Sequence, residues 1–567
     1  YIYGLEPQTG KLLWEYRHAG GHGSINPVTV GHNRLFLQYK WAESVVVEIK
    51  KTGEGYVAEE LWKNRNIRGT YNTPVYTNGY LYGYSSRFLT CVNAETGESV
   101  WKSRKPGDGF TILVDGHLVI LTKKGSLHVA KASPEGYQEM ASLALFDDLA
   151  WTPASFANGK IFARSHGEIA SIEVAKVDQV VAAAEHDAIA GSEFAQFLAR
   201  VNAADDKASV IDEYIAAQDE FPITEGDNLV HFIFRGKAKD VVIIGDMIGF
   251  GQEMSMNRIA GTDLYTYSTR LEPDTRVNYR FTVDFENNVI DSLNSRKTQG
   301  VFGEMSWFGM PKWNEPAHLQ ELAEGAARGR LDSLQFESAI LENSRKLDVY
   351  LPAGYDDSEQ RYPVAYVHAG GQAQNAGQMV NTLDNIVGTT VSPIIVVFIS
   401  QHPKTRNREY SGNLKDQYSR ALVEELVPLI DRTYRTLASA EARANIGQGF
   451  PAFAAFYSTW KHPGVFSKVS GQSVGLLTAQ ENELKAIAAT ASEQPLQFYM
   501  DWGRYDIRSP LEGWDIGAAN ASFTKFLEQQ GYACAGGEVN EGFGWASWRN
   551  RTDKIFETFF PMKNEGK

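Results

Sequence analysis

Acyl transfer by a side chain needs a nucleophilic oxygen or sulfur on a tight turn, with a base in reach of its proton. The strand-like run Ala442-Arg443-Ala444-Asn445-Ile446 feeds directly into Gly447-Gln448-Gly449-Phe450-Pro451. This is the spacing of a G-x-S-x-G turn, with glycine at apex position 449 and proline in place of the last glycine. Proline suits the first turn of the helix expected next, where no N–H is required. Glycine at the apex offers no atom to attack an ester. Ser473, in Gly471-Gln472-Ser473, follows another predicted strand, and His368, His402 and His462 are the nearby imidazoles. A triad needs three groups in mutual reach, so these four are expected to be turn, loop or packing residues. Cys91 and Cys534 stand far apart, and no CxxC or HExxH spacing occurs, so neither a disulfide framework nor a metal site is expected.

The elements that would position this chemistry begin at Ser338. Leu347-Asp348-Val349-Tyr350-Leu351-Pro352-Ala353-Gly354-Tyr355 reads as strand and turn, and Tyr362-Pro363-Val364-Ala365-Tyr366-Val367-His368-Ala369-Gly370-Gly371 as strand and glycine loop. Ile394–Ile399 is an uninterrupted apolar run, the mark of a buried parallel strand. Glu424-Glu425-Leu426-Val427-Pro428-Leu429-Ile430-Asp431 reads as helix, leading to Tyr434-Arg435-Thr436. Strands alternating with helices give a doubly wound sheet. Together these phrases resemble the esterase D and enterochelin esterase branch of the α/β-hydrolases, nearly to the end of the chain.

The resemblance implies where the partners of a nucleophile should stand. The family closes on a Gly-His-Asp-Trp phrase followed by Trp-Arg. Here the sequence is Gly542-Phe543-Gly544-Trp545-Ala546-Ser547-Trp548-Arg549, which puts Phe543 at the imidazole position. Phenylalanine neither accepts nor returns a proton. Gly503-Arg504-Tyr505-Asp506 makes Asp506 the retained acid, and Ser473 matches a family position near the pocket. The oxyanion loop carries Ala369 where the family favours glycine, with Gly370 and Gly371 following. Removing triad members costs about 10⁶ in turnover. The expectation is therefore a domain without catalytic residues, and a cleft around Gly370, Gly371, Gly449, Phe543 and Trp545 that is free to bind.

Upstream, Val230–Phe234, Val241–Gly245 and Val277–Phe281 alternate like strands of a small antiparallel sandwich. Met256-Asn257-Arg258-Ile259-Ala260-Gly261-Thr262-Asp263-Leu264-Tyr265 and Asp291-Ser292-Leu293-Asn294 resemble the N-terminal (E-set) sandwich of enterochelin-type esterases. Before it, Val177, Val180 and Val181, then Phe194, Phe197, Leu198 and Val201, then Val210, Ile211, Tyr214 and Ile215 follow helical spacing.

The first part of the chain repeats itself. Leu5-Glu6-Pro7-Gln8-Thr9-Gly10-Lys11-Leu12-Leu13-Trp14 returns as Val92-Asn93-Ala94-Glu95-Thr96-Gly97-Glu98-Ser99-Val100-Trp101, with a looser copy around Thr52-Gly53 and Trp62. Asn26-Pro27-Val28, Thr73-Pro74-Val75 and Thr152-Pro153-Ala154 form a second recurring phrase. A period of roughly 40 residues with short strands and glycine turns describes propeller blades. The Thr-Gly pair is expected to turn each hairpin, and the closing Trp to pack between blades. The phrases resemble pyrroloquinoline-quinone-type propellers. The quinone enzymes of that family hold their cofactor beside adjacent cysteines; Cys91 stands alone, so no cofactor is expected.

The expected architecture is multidomain: a partial β-propeller of about four blades over 1–175, a helical linker over 176–224, an Ig-like/E-set β-sandwich over 225–298, a connector over 299–337 and an α/β-hydrolase domain over 338–567. The 567 residues are 43% hydrophobic and 22% charged, ordinary globular values. A net charge of −14 without a basic run argues against nucleic acid or an anionic membrane as partner. No apolar run approaches the ~18 residues of a membrane span. The chain opens on Tyr1-Ile2-Tyr3-Gly4-Leu5, already strand-like, so a leader is expected before it, and the remaining blades are expected either upstream or from another chain. The function expected is a non-catalytic scaffold or binding protein of the periplasm, cell surface or extracellular space, contacting other proteins of an envelope assembly. The alternatives are a carboxylic-ester hydrolase, of siderophore or acyl-ester type, with a rewired nucleophile, and glycan or small-ligand binding in the cleft.

Overall fold

Asn93 shows how the repeat phrase folds. Its side chain accepts the N–H groups of Glu95 and Thr96 at 2.9 and 3.1 Å, turning the chain between strands Phe88–Asn93 and Ser99–Ser103. Gly97 then adopts φ +75°, and a Cβ there would meet the Trp62 ring at 2.7 Å. The glycine thus makes the turn and also admits the tryptophan of the preceding sheet. Trp62 Nε1 donates to the Ala94 carbonyl at 3.0 Å, and Trp101 Nε1 to that of Ser133 at 2.9 Å. Both of these closing tryptophans are tied to the sheet that follows.

The computed structural model describes residues 1–17, 27–39, 42–53, 55–68, 71–174, 189–300, 303–490, 495–509 and 513–562. Asn26, Val177, Val180 and Val181 lie outside them. Contacts divide the chain into Tyr1–Ala184 and Glu185–Lys567.

In the first unit, three four-stranded antiparallel meanders span Val28–Asn64, Val75–Ser103 and Gly109–Ala144. A two-stranded sheet (Ile2–Leu5, Leu12–Tyr16) and a three-stranded sheet (Ser155–Ala157, Lys160–Arg164, Ile169–Glu173) stand at its ends. Successive side chains of a strand point to opposite faces. Accordingly Leu81 and Val92 pack with Phe36 and Val46 of the sheet before, while Tyr82, Leu89 and Cys91 pack with Leu118 and Ile120 of the sheet after. Sheets that are apolar on both faces stack as propeller blades do. Burial pushes the Cys91 thiol up to about 12, so it acts as a packing residue.

The second unit begins with helices α1 (Glu193–Ala203) and α2 (Lys207–Ala216), capped by Ser192 and Asp206. Phe194, Phe197, Val201 and Ile211 pack against Ile223, Ile233 and Leu264, so the described helices lie on a sheet face. That sheet contains β1 (Leu229–Arg235) and β3 (Leu264–Arg270); the facing one contains β2 (Val241–Gly245), β4 (Arg276–Val283) and β5 (Gly303–Gly309). Val230, Phe232, Ile243, Tyr279, Phe281 and Phe308 fill the space between them.

The larger sheet follows from β6 (Arg330–Ser338), β7 (Asn343–Leu351), β8 (Val364–His368), β9 (Ile395–Ile399), β10 (Arg443–Gln448), β11 (Lys468–Gln472), β12 (Gln497–Tyr505) and β13 (Ala533–Gly542). Its order is β6-β7-β9-β8-β10-β11-β12-β13, with β7 antiparallel to both neighbours and every pairing from β9 to β13 parallel. Helices α3 (Gly370–Asn375), α4 (Met379–Ile386) and α7 (Thr552–Phe559) cover one face through Ala373, Leu383 and Phe556. Helices α5 (Phe450–Lys461) and α6 (Ile516–Gln529) cover the other through Phe456 and Phe523. At the edge, β13 pairs with β4 at Arg276 and Glu541, so one continuous sheet runs from hydrolase to sandwich.

Candidate active site

Gly449 sits at the turn from β10 to α5 with φ +62° and ψ −132°. Its N–H donates to the Gln472 carbonyl, and its own carbonyl accepts from Gly475, both at 2.9 Å. A Cβ on Gly447 would meet the Ala452 Cα at 2.4 Å, so only glycine lets strand and helix close this tightly. A Cβ on Gly449 would meet Trp548 at 3.2 Å and Phe543 at 3.6 Å. The sharp turn is therefore formed, and its apex faces two aromatic rings.

Those rings belong to an aromatic wall. Phe543 meets Trp548 edge-on at 4.8 Å, and Trp548 meets Trp545 at 5.6 Å. Trp545 packs on Gly377, where a Cβ would meet its ring at 2.6 Å, and Trp545 Nε1 donates to Gln372 of α3 at 3.4 Å. Gly370 opens α3 after Ala369, whose φ is +53°. A Cβ on Gly370 would clash with Phe398 of β9 at 2.5 Å, whereas Gly371 faces open space. Gly370, Gly371, Gly449, Phe543 and Trp545 thus gather at one end of the sheet.

Ser473 is the residue that reading along the chain undervalued. Gln448 and Gln472 are paired in register, so Ser473 stands level with Gly449, one strand over. Its φ is +45°, a strained left-handed conformation for serine, and its N–H donates to the Asp501 carbonyl at 2.7 Å. The Ser473 hydroxyl donates to Asp506 Oδ1 at 3.0 Å and accepts from Trp548 Nε1 at 2.9 Å. Burial pushes the Asp506 carboxyl up to about 8; the Ser473 bond and the Gly503 backbone oppose this. Asp506 Oδ2 has no hydrogen-bond partner. The sequence marked Asp506 as the retained acid and Ser473 as a residue near the pocket, but no local phrase announces that the two share a hydrogen bond.

The three histidines are engaged elsewhere. His368 lies between Tyr418 Oη (2.7 Å) and Asn445 Oδ1 (2.8 Å), and burial pushes it down to about 4. His402 bonds to Thr405 at 2.7 Å, and His462 closes α5, where burial lowers it. Below the wall, Gln472 Nε2 donates to Asp501 and to the Trp548 carbonyl, each at 3.0 Å. Arg551 joins Asp501 (3.0 Å) to Glu541 (2.6 Å). Burial works against the Arg551 charge, but the two carboxylates outweigh it and raise its pKa. This network holds Trp548 over Ser473.

The strand order, the turn after β10 and the acid after β12 define an α/β-hydrolase. Residues 338–548 match the family model described as "Putative esterase", and residues 1–138 the model described as "Outer membrane protein assembly factor BamB". The chain thus joins quinoprotein-type repeats to an esterase-type module. A curated relative, an endo-1,4-beta-xylanase/feruloyl esterase of Xylanibacter ruminicola, is 26% identical over 190 residues, which are 30% of this chain and 26% of the relative. The chain spans about a quarter of that relative's length. Among solved structures, the ferric enterobactin esterase of Salmonella typhimurium matches with TM-score 0.52 and 17% identity, over 61% of this chain and 98% of that one. The enterobactin esterase of Shigella flexneri matches with TM-score 0.51 and 19% identity, over 61% and 97%. At such identities these structures establish the fold.

These findings correct one expectation. Glycine at 449 and phenylalanine at 543 led to a protein without catalysis. The esterase family match over residues 338–548 and the feruloyl esterase relative point instead to an enzyme. The expectation tied chemistry to two positions along the chain, whereas a hydroxyl bonded to a buried acid stands beside them in space.

Proposed function

We propose that the C-terminal module is a carboxylic-ester hydrolase whose nucleophile is Ser473, one strand from the usual turn, with Asp506 as its base. The observation that carries this reading is the 3.0 Å bond from the Ser473 hydroxyl to Asp506, a carboxyl pushed up to about 8. A base with a pKa near the working pH combines availability with driving force. Ionised Asp506 takes the Ser473 proton as Oγ attacks the ester carbonyl. The alkoxide then leaves with that proton, and water hydrolyses the acyl-serine by the same route. Trp548 covers Ser473, so substrate entry replaces the indole bond. The aromatic wall suits an aryl or acyl ester, in keeping with the feruloyl and enterobactin esterase names of the relatives. Export to the envelope or beyond, with the repeats contacting other envelope proteins, completes the proposal and draws on the BamB-type match.

Fluorophosphonate labelling with mass spectrometry of the adduct, run beside turnover of p-nitrophenyl acetate, tests it. An adduct on Ser473, with turnover lost in Ser473→Ala, is expected. Turnover unaffected by Ser473→Ala would overturn the assignment.

A further inference from the structure

Gln448 is 2% exposed, yet neither its amide oxygen nor its amide nitrogen has a hydrogen-bond partner. Among the buried side chains of the described residues it is the one amide with both ends unmet. It directly precedes Gly449. Its neighbour Gly447 faces α5, so Gln448 lies on the opposite face of β10. Ala444 and Ile446, on that same face, pack with Ala373 and with Phe556 of α7. In register beside it, Gln472 Nε2 is held by Asp501 and the Trp548 carbonyl, but Gln472 Oε1 is unpartnered, as is the Ser547 hydroxyl next to Trp548.

An unpaired buried amide is a standing cost to a fold, which an apolar side chain of like volume would avoid. Directly before the turn at Gly449, whose apex faces Phe543 and Trp548, such an exception has a functional explanation: the amide is kept for a ligand. A primary amide offers N–H donors and a carbonyl acceptor side by side. A hydroxyl oxygen, which accepts one hydrogen bond and donates another, complements both.

We infer that Gln448 is a ligand-binding residue whose amide takes a hydroxyl group at the foot of the turn after β10. The hydroxyl comes from a bound ligand or from an ordered water. The inference rests on the cleft being a ligand site and not on Ser473 being the nucleophile.

The test reads binding rather than turnover, so its failure and that of the esterase reading are separable. The full chain is titrated with benzyl alcohol and with benzyl methyl ether, which lacks the donor, following tryptophan fluorescence. Wild type is expected to favour the alcohol by about three- to tenfold, the worth of one hydrogen bond. Gln448→Met should abolish that preference without weakening the ether, and Gln448→Glu provides a second variant should the first not fold. If wild type shows no preference, a crystal structure decides: water bonded to both Gln448 amide atoms, and lost in Gln448→Met, assigns the site to water. No preference and no such water, with Gln448→Met melting higher than wild type, overturns the inference.

Discussion

Asp506 concentrates the testable chemistry at the scale of single residues. Its folded pKa of about 8 lies above the ordinary value of 3.8 because of burial. The folded chain therefore keeps a proton that the unfolded chain releases near pH 4. Between those values the folded state binds more protons, so stability from this group falls as pH rises toward 8. Asp506→Asn should flatten that part of a plot of melting temperature against pH. Under the proposed mechanism, kcat/KM for p-nitrophenyl acetate should rise with pH through about 8 in wild type and vanish in the asparagine variant; a flat profile counts against Asp506 as base. Gly449→Ser is the complementary change. Its Cβ would meet Trp548 at 3.2 Å in a φ +62° conformation, so a stability loss of about 1–3 kcal/mol is expected. Without an imidazole at 543, the new hydroxyl should add no turnover.

At the scale of elements, the repeat unit depends on one glycine and one tryptophan acting across a sheet boundary. Gly97→Ala would place a methyl 2.7 Å from the Trp62 ring at φ +75°. A loss of more than about 1 kcal/mol in urea unfolding of the first unit is expected. Trp101→Phe keeps an aromatic ring but removes the indole N–H and with it the 2.9 Å bond to the Ser133 carbonyl, and should cost at least about 1 kcal/mol. Much of this architecture is legible along the chain, because Thr-Gly turns, alternating apolar residues and closing tryptophans recur within a single blade. The turn at Gly447–Pro451 is legible for the same reason. The packing of α1 and α2 on the sandwich is not, since their apolar stripes specify that something covers them without saying what.

At the scale of the whole molecule, the continuous sheet binds sandwich to hydrolase, and Arg551 neutralises the carboxylates of β12 and β13 where the two meet. Arg551→Met would leave Asp501 and Glu541 buried without their cation, at a cost of about 3–5 kcal/mol. The same change should free Trp548, which shares Gln472 with Asp501. A lower unfolding midpoint for the 185–567 unit, with a red-shifted tryptophan spectrum, is the expected result. An unchanged midpoint would show that the network adds nothing.

The sequence by itself determined the β-repeat, the sandwich strands, the alternating strands and helices of the hydrolase, and the glycine and phenylalanine at 449 and 543. Each of these is written in contiguous residues whose spacing and turn chemistry act locally. Only the tertiary structure decided that Ser473 and Asp506 share a hydrogen bond, that Trp548 closes over them and that Gln448 is buried unpaired. Those facts depend on parallel strands brought into register across long separations, and a parallel sheet specifies its neighbours through the helices that cross between them, not through any local phrase.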